Sequence, residues 1–115
     1  MVVKVEPGAS LPQAVIESPD FMSITRTDEE LSMVCSEAAA AGLAGADGPW
    51  RAIKIKGPFA FDQTGVLAAF LDPLAQAAIG IFAASTFDTD YVLVKSENLD
   101  RAVEALQSAG HRLLA

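Results

Sequence analysis

The Gly and Ala-rich stretch at residues 38–49 most constrains what this chain can fold into, because it parts two runs of strand-like and helix-like pattern. In a chain of 115 residues such a break leaves two pieces near the lower size limit for a hydrophobic core. It predicts two small units, 1–48 and 49–115, and leaves no room for a large catalytic domain. Composition excludes disorder, since hydrophobic residues make up 51% of the chain and charged residues only 20%. The mean hydropathy is positive. A small globule cannot hide that much apolar surface alone, so an oligomer, most simply a homodimer, is expected.

The second half gives the clearer pattern. Trp50-Arg51-Ala52-Ile53-Lys54-Ile55-Lys56 alternates apolar and polar residues, the period of a strand with one buried face, and Gly57-Pro58 ends it. Gly65 then opens a helix in which Val66, Phe70, Leu74 and Ala78 fall four apart, with Leu67 and Leu71 widening the stripe. Pro73 lies inside that helix and withholds the backbone donor to Ala69, which predicts a bend. Two β-prone runs follow, from Gly80 to Phe87 and from Tyr91 to Lys95, joined by Asp88-Thr89-Asp90 as a hairpin. Ser96 is set to cap a last helix with Leu99, Val103 and Leu106 on its apolar face and Gly110 past its end. His111-Arg112-Leu113-Leu114 supplies a short final strand. Strand, helix, hairpin, helix, strand is the βαββαβ order of an α+β ferredoxin-like fold, an antiparallel sheet with helices on one face.

The first half reads as an abbreviated copy, with a strand at residues 2–5, a short helix at 13–17 and a hairpin at 21–35. Set sixty positions ahead of the later hairpin, it matches Asp28 with Asp88, Val34 with Val94, Ser36 with Ser96 and Glu37 with Glu97. Those identities, with the shared turn and the capping Ser-Glu pair, favour a tandem repeat.

Charge and cysteine usage narrow the partners. With 8 Lys and Arg against 15 Asp and Glu, the net charge of -7 repels phosphate backbones and anionic lipid, so neither nucleic acid nor membrane is an expected partner. The first residues carry no long apolar segment, and the apolar stretch 77–84 is too short to span a bilayer, which together predict a cytoplasmic protein. A lone Cys35 suits a reducing compartment and forms no internal disulfide. There is no GxSxG, HExxH, Walker loop or paired-cysteine spacing, so no cofactor, metal site or enzyme activity is expected.

Two segments carry a family resemblance. Asp62-Gln63-Thr64-Gly65-Val66-Leu67 resembles the Asp-x-x-Gly-[Leu/Val]-Leu turn between the first strand and first helix of the ACT domain. Ser85-Thr86-Phe87-Asp88-Thr89-Asp90-Tyr91-Val92-Leu93-Val94-Lys95 resembles a group of small bacterial tandem-ACT proteins, whose domain is also similar to that of an animal cytosolic arginine sensor. The resemblance covers residues 50–111 and is looser before them. This chain departs from the family in carrying Ala78 where members usually have Gly, and Ala84 where a β-branched residue is frequent. The departures bear on how the first helix ends and on the shape of any pocket.

The resemblance implies a non-catalytic regulatory module that binds an amino acid or similar metabolite between two ACT units. Chemically, the turn at Asp62 to Gly65 leads into a helix whose first N–H groups lack internal partners and carry partial positive charge, a place for a ligand carboxylate. Gly65 permits close backbone approach, Asp62 can accept from an α-ammonium group, and Gln63, Thr64 and Val66 complete the candidate site. Ser85 and Thr86 offer hydroxyls from a neighbouring strand. Each has a structural alternative: Asp62 bracing the turn, Gly65 serving backbone conformation alone, and Ser85 and Thr86 as ordinary strand residues. Cys35 reads as a structural thiol, and His111 as a contact with a helix terminus. Trp50 and Tyr91 fit core or interface packing better than a binding surface. Asp62, Asp88 and Asp90 read as solvated turn residues rather than metal ligands. Two rival functions are an interaction module docking on a partner enzyme without a ligand, and a small enzyme acting within a dimeric barrel.

Overall fold

The computed structural model describes residues 1–55 and 65–112. The chain divides into two compact units, Met1–Pro49 and Trp50–Ala115. In the first unit the elements are β1 (Val2–Val5), α1 (Gln13–Ile16), β2 (Ser23–Arg26), β3 (Leu31–Val34), α2 (Glu37–Ala40) and β4 (Ala46–Asp47). All pairings are antiparallel and the sheet order is β2-β3-β1-β4, the ferredoxin-like arrangement. Val3 and Met33 face the helices and are fully buried against Val15 of α1 and Ala39 and Ala40 of α2, while Lys4 and Ser32 alternate to the other side.

The unit is short yet has all six elements of the βαββαβ order, and residues 38–49, where the sequence places the boundary, also contain the end of α2 and all of β4. Ser36 starts α2 by accepting from the Ala39 N–H at 3.1 Å. Gly45 then brings β4 beside β1: its φ is +80°, and a Cβ there would come within 2.6 Å of the Lys4 carbonyl oxygen. What reads as low-complexity glycine in sequence is a close approach between two strands.

The second unit contains β5 (Trp50–Lys54), α3 (Val66–Gln76), β6 (Ile81–Ser85), β7 (Asp90–Lys95) and α4 (Leu99–Ser108), with an antiparallel sheet ordered β5-β7-β6. Phe70 and Leu74 of α3 and Ala102 and Leu106 of α4 pack with Val92 and Val94 of β7 and with Ile53, Ile55 and Ile81, so both helices cover one face. A β-branched and aromatic strand pattern flanked by two amphipathic helices therefore closes a core in the predicted way. His111 and Arg112 are not in a strand, and Leu113 and Leu114 lie outside the described residues.

Pro73 does not split α3, which runs as one helix from Val66 to Gln76. The carbonyl that Pro73 leaves without a backbone donor belongs to Ala69, and the His111 ring nitrogen Nε2 stands 2.9 Å from it. A carbonyl only accepts, so Nε2 carries the proton there. The His111 ring also packs on Phe70, with ring centroids 5.1 Å apart. Further along, α3 ends in a paired carbonyl cap, with the Ala78 N–H on Ala75 O and the Ile79 N–H on Leu74 O, both at 3.0 Å.

The start of α4 departs from the expected cap. Ser96 opens a 3-10 turn, Ser96–Asn98, and Asn98 precedes α4 without a side-chain cap. Arg101 instead turns back from α4 and donates to Asn98 Oδ1 at 3.2 Å and to Ala77 O, at the end of α3, at 2.7 Å. The two hairpins also align at a different offset. Thr27 and Thr86 close their turns with the same three bonds, each N–H bonding a carbonyl three residues on at 2.8 Å and each hydroxyl bonding both the N–H and the carbonyl of that residue, Glu30 or Thr89. These residues stand fifty-nine positions apart, not sixty. A slip of one reverses the faces of a strand: Val94 points into the helix-covered core, whereas Val34 pairs with Val2 on the side opposite Met33. The Val34 and Val94 identity is thus not a structural equivalence.

Candidate ligand-binding site

The described part of the site begins at Gly65, which precedes α3 with φ +80° and ψ -7°. Only glycine adopts this left-handed state without strain, and nothing among the described residues lies within 4 Å of where a Cβ would project. Among the described residues no side chain caps the helix at this position. The first intrahelical bond runs from the Ala69 N–H to Gly65 O at 3.0 Å, so the N–H groups of Val66, Leu67 and Ala68 have no acceptor within the helix. Their partial positive charge is a place for an anion. The Val66 side chain is half-buried against the core, which leaves its backbone as the part turned to chemistry. Asp62, Gln63 and Thr64 lie outside the described residues.

Ser85 and Thr86 stand at the exposed end of the β6–β7 hairpin. The Ser85 hydroxyl donates to Asp90 Oδ1 across the strand pair, and Thr86 closes the turn with Thr89. Among the described residues these hydroxyls bond within their own hairpin and not to Gly65 or Val66. The hairpin nevertheless reaches the approach to the candidate turn, since Thr89 Oγ1 donates to Ile55 O and the Ile55 N–H donates to Asp90 O at 2.9 Å. Ile55 is the last described residue before 56–64. Thr89, in the polar link of the hairpin, is only 8% exposed and acts as a buried brace. Its signal was the Thr-x-x-Thr spacing, which places two hydroxyls on one turn.

Other residues singled out by sequence serve packing. Trp50 meets Phe82 edge-on at 6.5 Å, and Lys95 Nζ lies 5.2 Å from the Trp50 ring centroid. Cys35 is buried, and burial pushes its thiol pKa up against the smaller opposing pull of the N-terminal ammonium. A raised thiol is a poor nucleophile at neutral pH. No group of three or more His, Cys, Asp or Glu among the described residues is placed to hold a metal, and none of their helices is long and apolar enough to cross a membrane.

An antiparallel sheet with two helices on one face, and a glycine turn opening the first of them, defines a ferredoxin-like α+β domain. The ACT domain family model matches residues 46–108, and the chain belongs to the ACT-domain family. A separate family model for an N-terminal domain matches residues 2–41. Over 59 residues, half of this chain, it is 39% identical to subunit 1 of the cytosolic arginine sensor for mTORC1 of Homo sapiens, and the match spans 18% of that protein. It is 29% identical over 101 residues to the putative human protein CASTOR3P, covering 76% of this chain and 62% of that one. A crystal structure of a protein from Agobacterium tumefaciens superposes with a TM-score of 0.90 at 40% identity, over 98% of this chain and 84% of the other. A Vibrio cholerae protein of unknown function shares the fold, with a TM-score of 0.72 at 22% identity over 96% of this chain and 84% of its own.

Proposed function

We propose that this chain is a non-catalytic regulatory protein that senses an amino acid or similar small metabolite, acting in the cytoplasm as a homodimer of tandem ACT units. The observation that carries the reading is Gly65: a helix start in left-handed geometry, inside the residues that the ACT domain model matches, with nothing among the described residues within 4 Å of where its Cβ would project. In this proposal the ligand carboxylate rests on the N–H groups of Val66, Leu67 and Ala68. Asp62 accepts from the α-ammonium group, and Gln63 and Thr64 add polar contacts. Ser85 and Thr86 flank the ligand from the hairpin end, where Thr89 holds the strand leading into the turn. The α-amino acid class satisfies both ends of such a site, since it presents one anion and one cation a short distance apart.

Calorimetric titration of the full chain with amino acids, repeated on Asp62→Ala, tests the site. The reading expects binding weakened about tenfold or more by the substitution, the size of a lost charged hydrogen bond. Undiminished binding to Asp62→Ala would move the site away from this turn.

A further inference from the structure

Arg26, the last residue of β2, reaches across the first unit to the turn at residues 6–9. Its Nη1 donates to Pro7 O and its Nη2 donates to Ala9 O at 3.0 Å, and the turn itself is closed by the Ala9 N–H on Glu6 O at 3.0 Å. Two carbonyls, two residues apart and turned to one side, match the planar fork of a guanidinium, which an ammonium cannot reproduce. In the register set by the Thr27 and Thr86 turns, Arg26 occupies the place that Ser85 holds in the second unit. The segment it grips joins the first strand to the first helix, as residues 56–64 do in the second unit. The helix that follows, α1, has only four residues and begins after Pro12 without a side-chain cap. The first unit therefore presents carbonyl acceptors where the second presents a long helix start.

We propose that the turn at residues 6–9 is a guanidinium site that the chain fills with its own Arg26, closing the first unit to an outside ligand and leaving one amino-acid site per chain. The last clause rests on the ligand reading above; the self-filled site does not. Amide hydrogen exchange on the full chain, with no amino acid present, tests it. In Arg26→Ala the Ala9 amide exchanges roughly three- to tenfold faster, the loss of one to two modest hydrogen bonds. Ethylguanidinium added in the tens of millimolar range returns the protection, whereas ethylammonium at the same ionic strength does not. Arg26→Lys, which keeps the charge, behaves as Arg26→Ala does. Unchanged Ala9 exchange in Arg26→Ala, or equal rescue by both cations, overturns the proposal, and neither result bears on whether the second unit binds an amino acid.

Discussion

Ala78 holds a φ of 58°, the left-handed state that closes the cap of α3. For an L-residue with a Cβ that state costs about 1–2 kcal/mol, and part of this is offset because alanine has less freedom to lose on folding than glycine. The resembling group usually carries glycine here; in this chain the cap closes on alanine. The buried pair Leu74 and Ile79, which flank the cap, hold it in place. Ala78→Gly is expected to stabilise the protein by about 0.5–1 kcal/mol, read as a higher urea midpoint at constant slope. The cap is visible in the sequence once a helix end is placed at Gln76, but alanine conceals it from a search for glycine. At Thr89 the concealment is different: a threonine between two aspartates looks solvated, and only the fold reveals that its hydroxyl meets Ile55.

At the scale of elements, α3 depends on a residue far along the chain. Pro73 removes the N–H that would bond Ala69 O, and His111, just past α4, supplies a replacement. Ala69 is exposed and water can also reach its carbonyl, so the His111 bond carries the net worth of an ordinary hydrogen bond, about 0.5–1.5 kcal/mol, at the place where the proline lacks a donor. His111→Ala should therefore lower stability by about 1 kcal/mol in the native background. In a Pro73→Ala background the restored N–H takes over the carbonyl, and the same change should cost markedly less. Urea unfolding of the four proteins in this cycle checks the coupling; equal losses in both backgrounds would contradict the pairing. The alternation of Ile53 and Ile55 and the stripe of Leu99 and Leu106 were legible because period alone places them. Helix α2 showed only its capping Ser36-Glu37 pair and strand β4 showed nothing, because four and two residues carry too little period to read. The repeat offset failed for a related reason: identities such as Val34 and Val94 ignore which face a side chain occupies, whereas the Thr turns fix it.

On the scale of the whole molecule, two ferredoxin-like units of unequal length share a turn chemistry but differ where a ligand would sit. The first has a turn held by Arg26 and a four-residue helix; the second has Gly65 opening an eleven-residue helix. In the proposed function, that asymmetry puts the ligand at the second unit. Gly65 was legible as a turn glycine in sequence, while the polar residues before it remain defined by resemblance and position alone. Edge strand β6 has one sheet neighbour among the described residues, which leaves its outer side available for the proposed dimer. The central claim is that this chain binds an amino acid, and a thermal-shift screen of the full chain against the common amino acids tests it most directly. A ligand at about a hundredfold its dissociation constant adds roughly 2.7 kcal/mol, which moves the midpoint of a protein this size by about 10 °C. The account predicts such a shift for at least one amino acid and none for inorganic phosphate or nucleotides; an unmoved midpoint across all amino acids would contradict it.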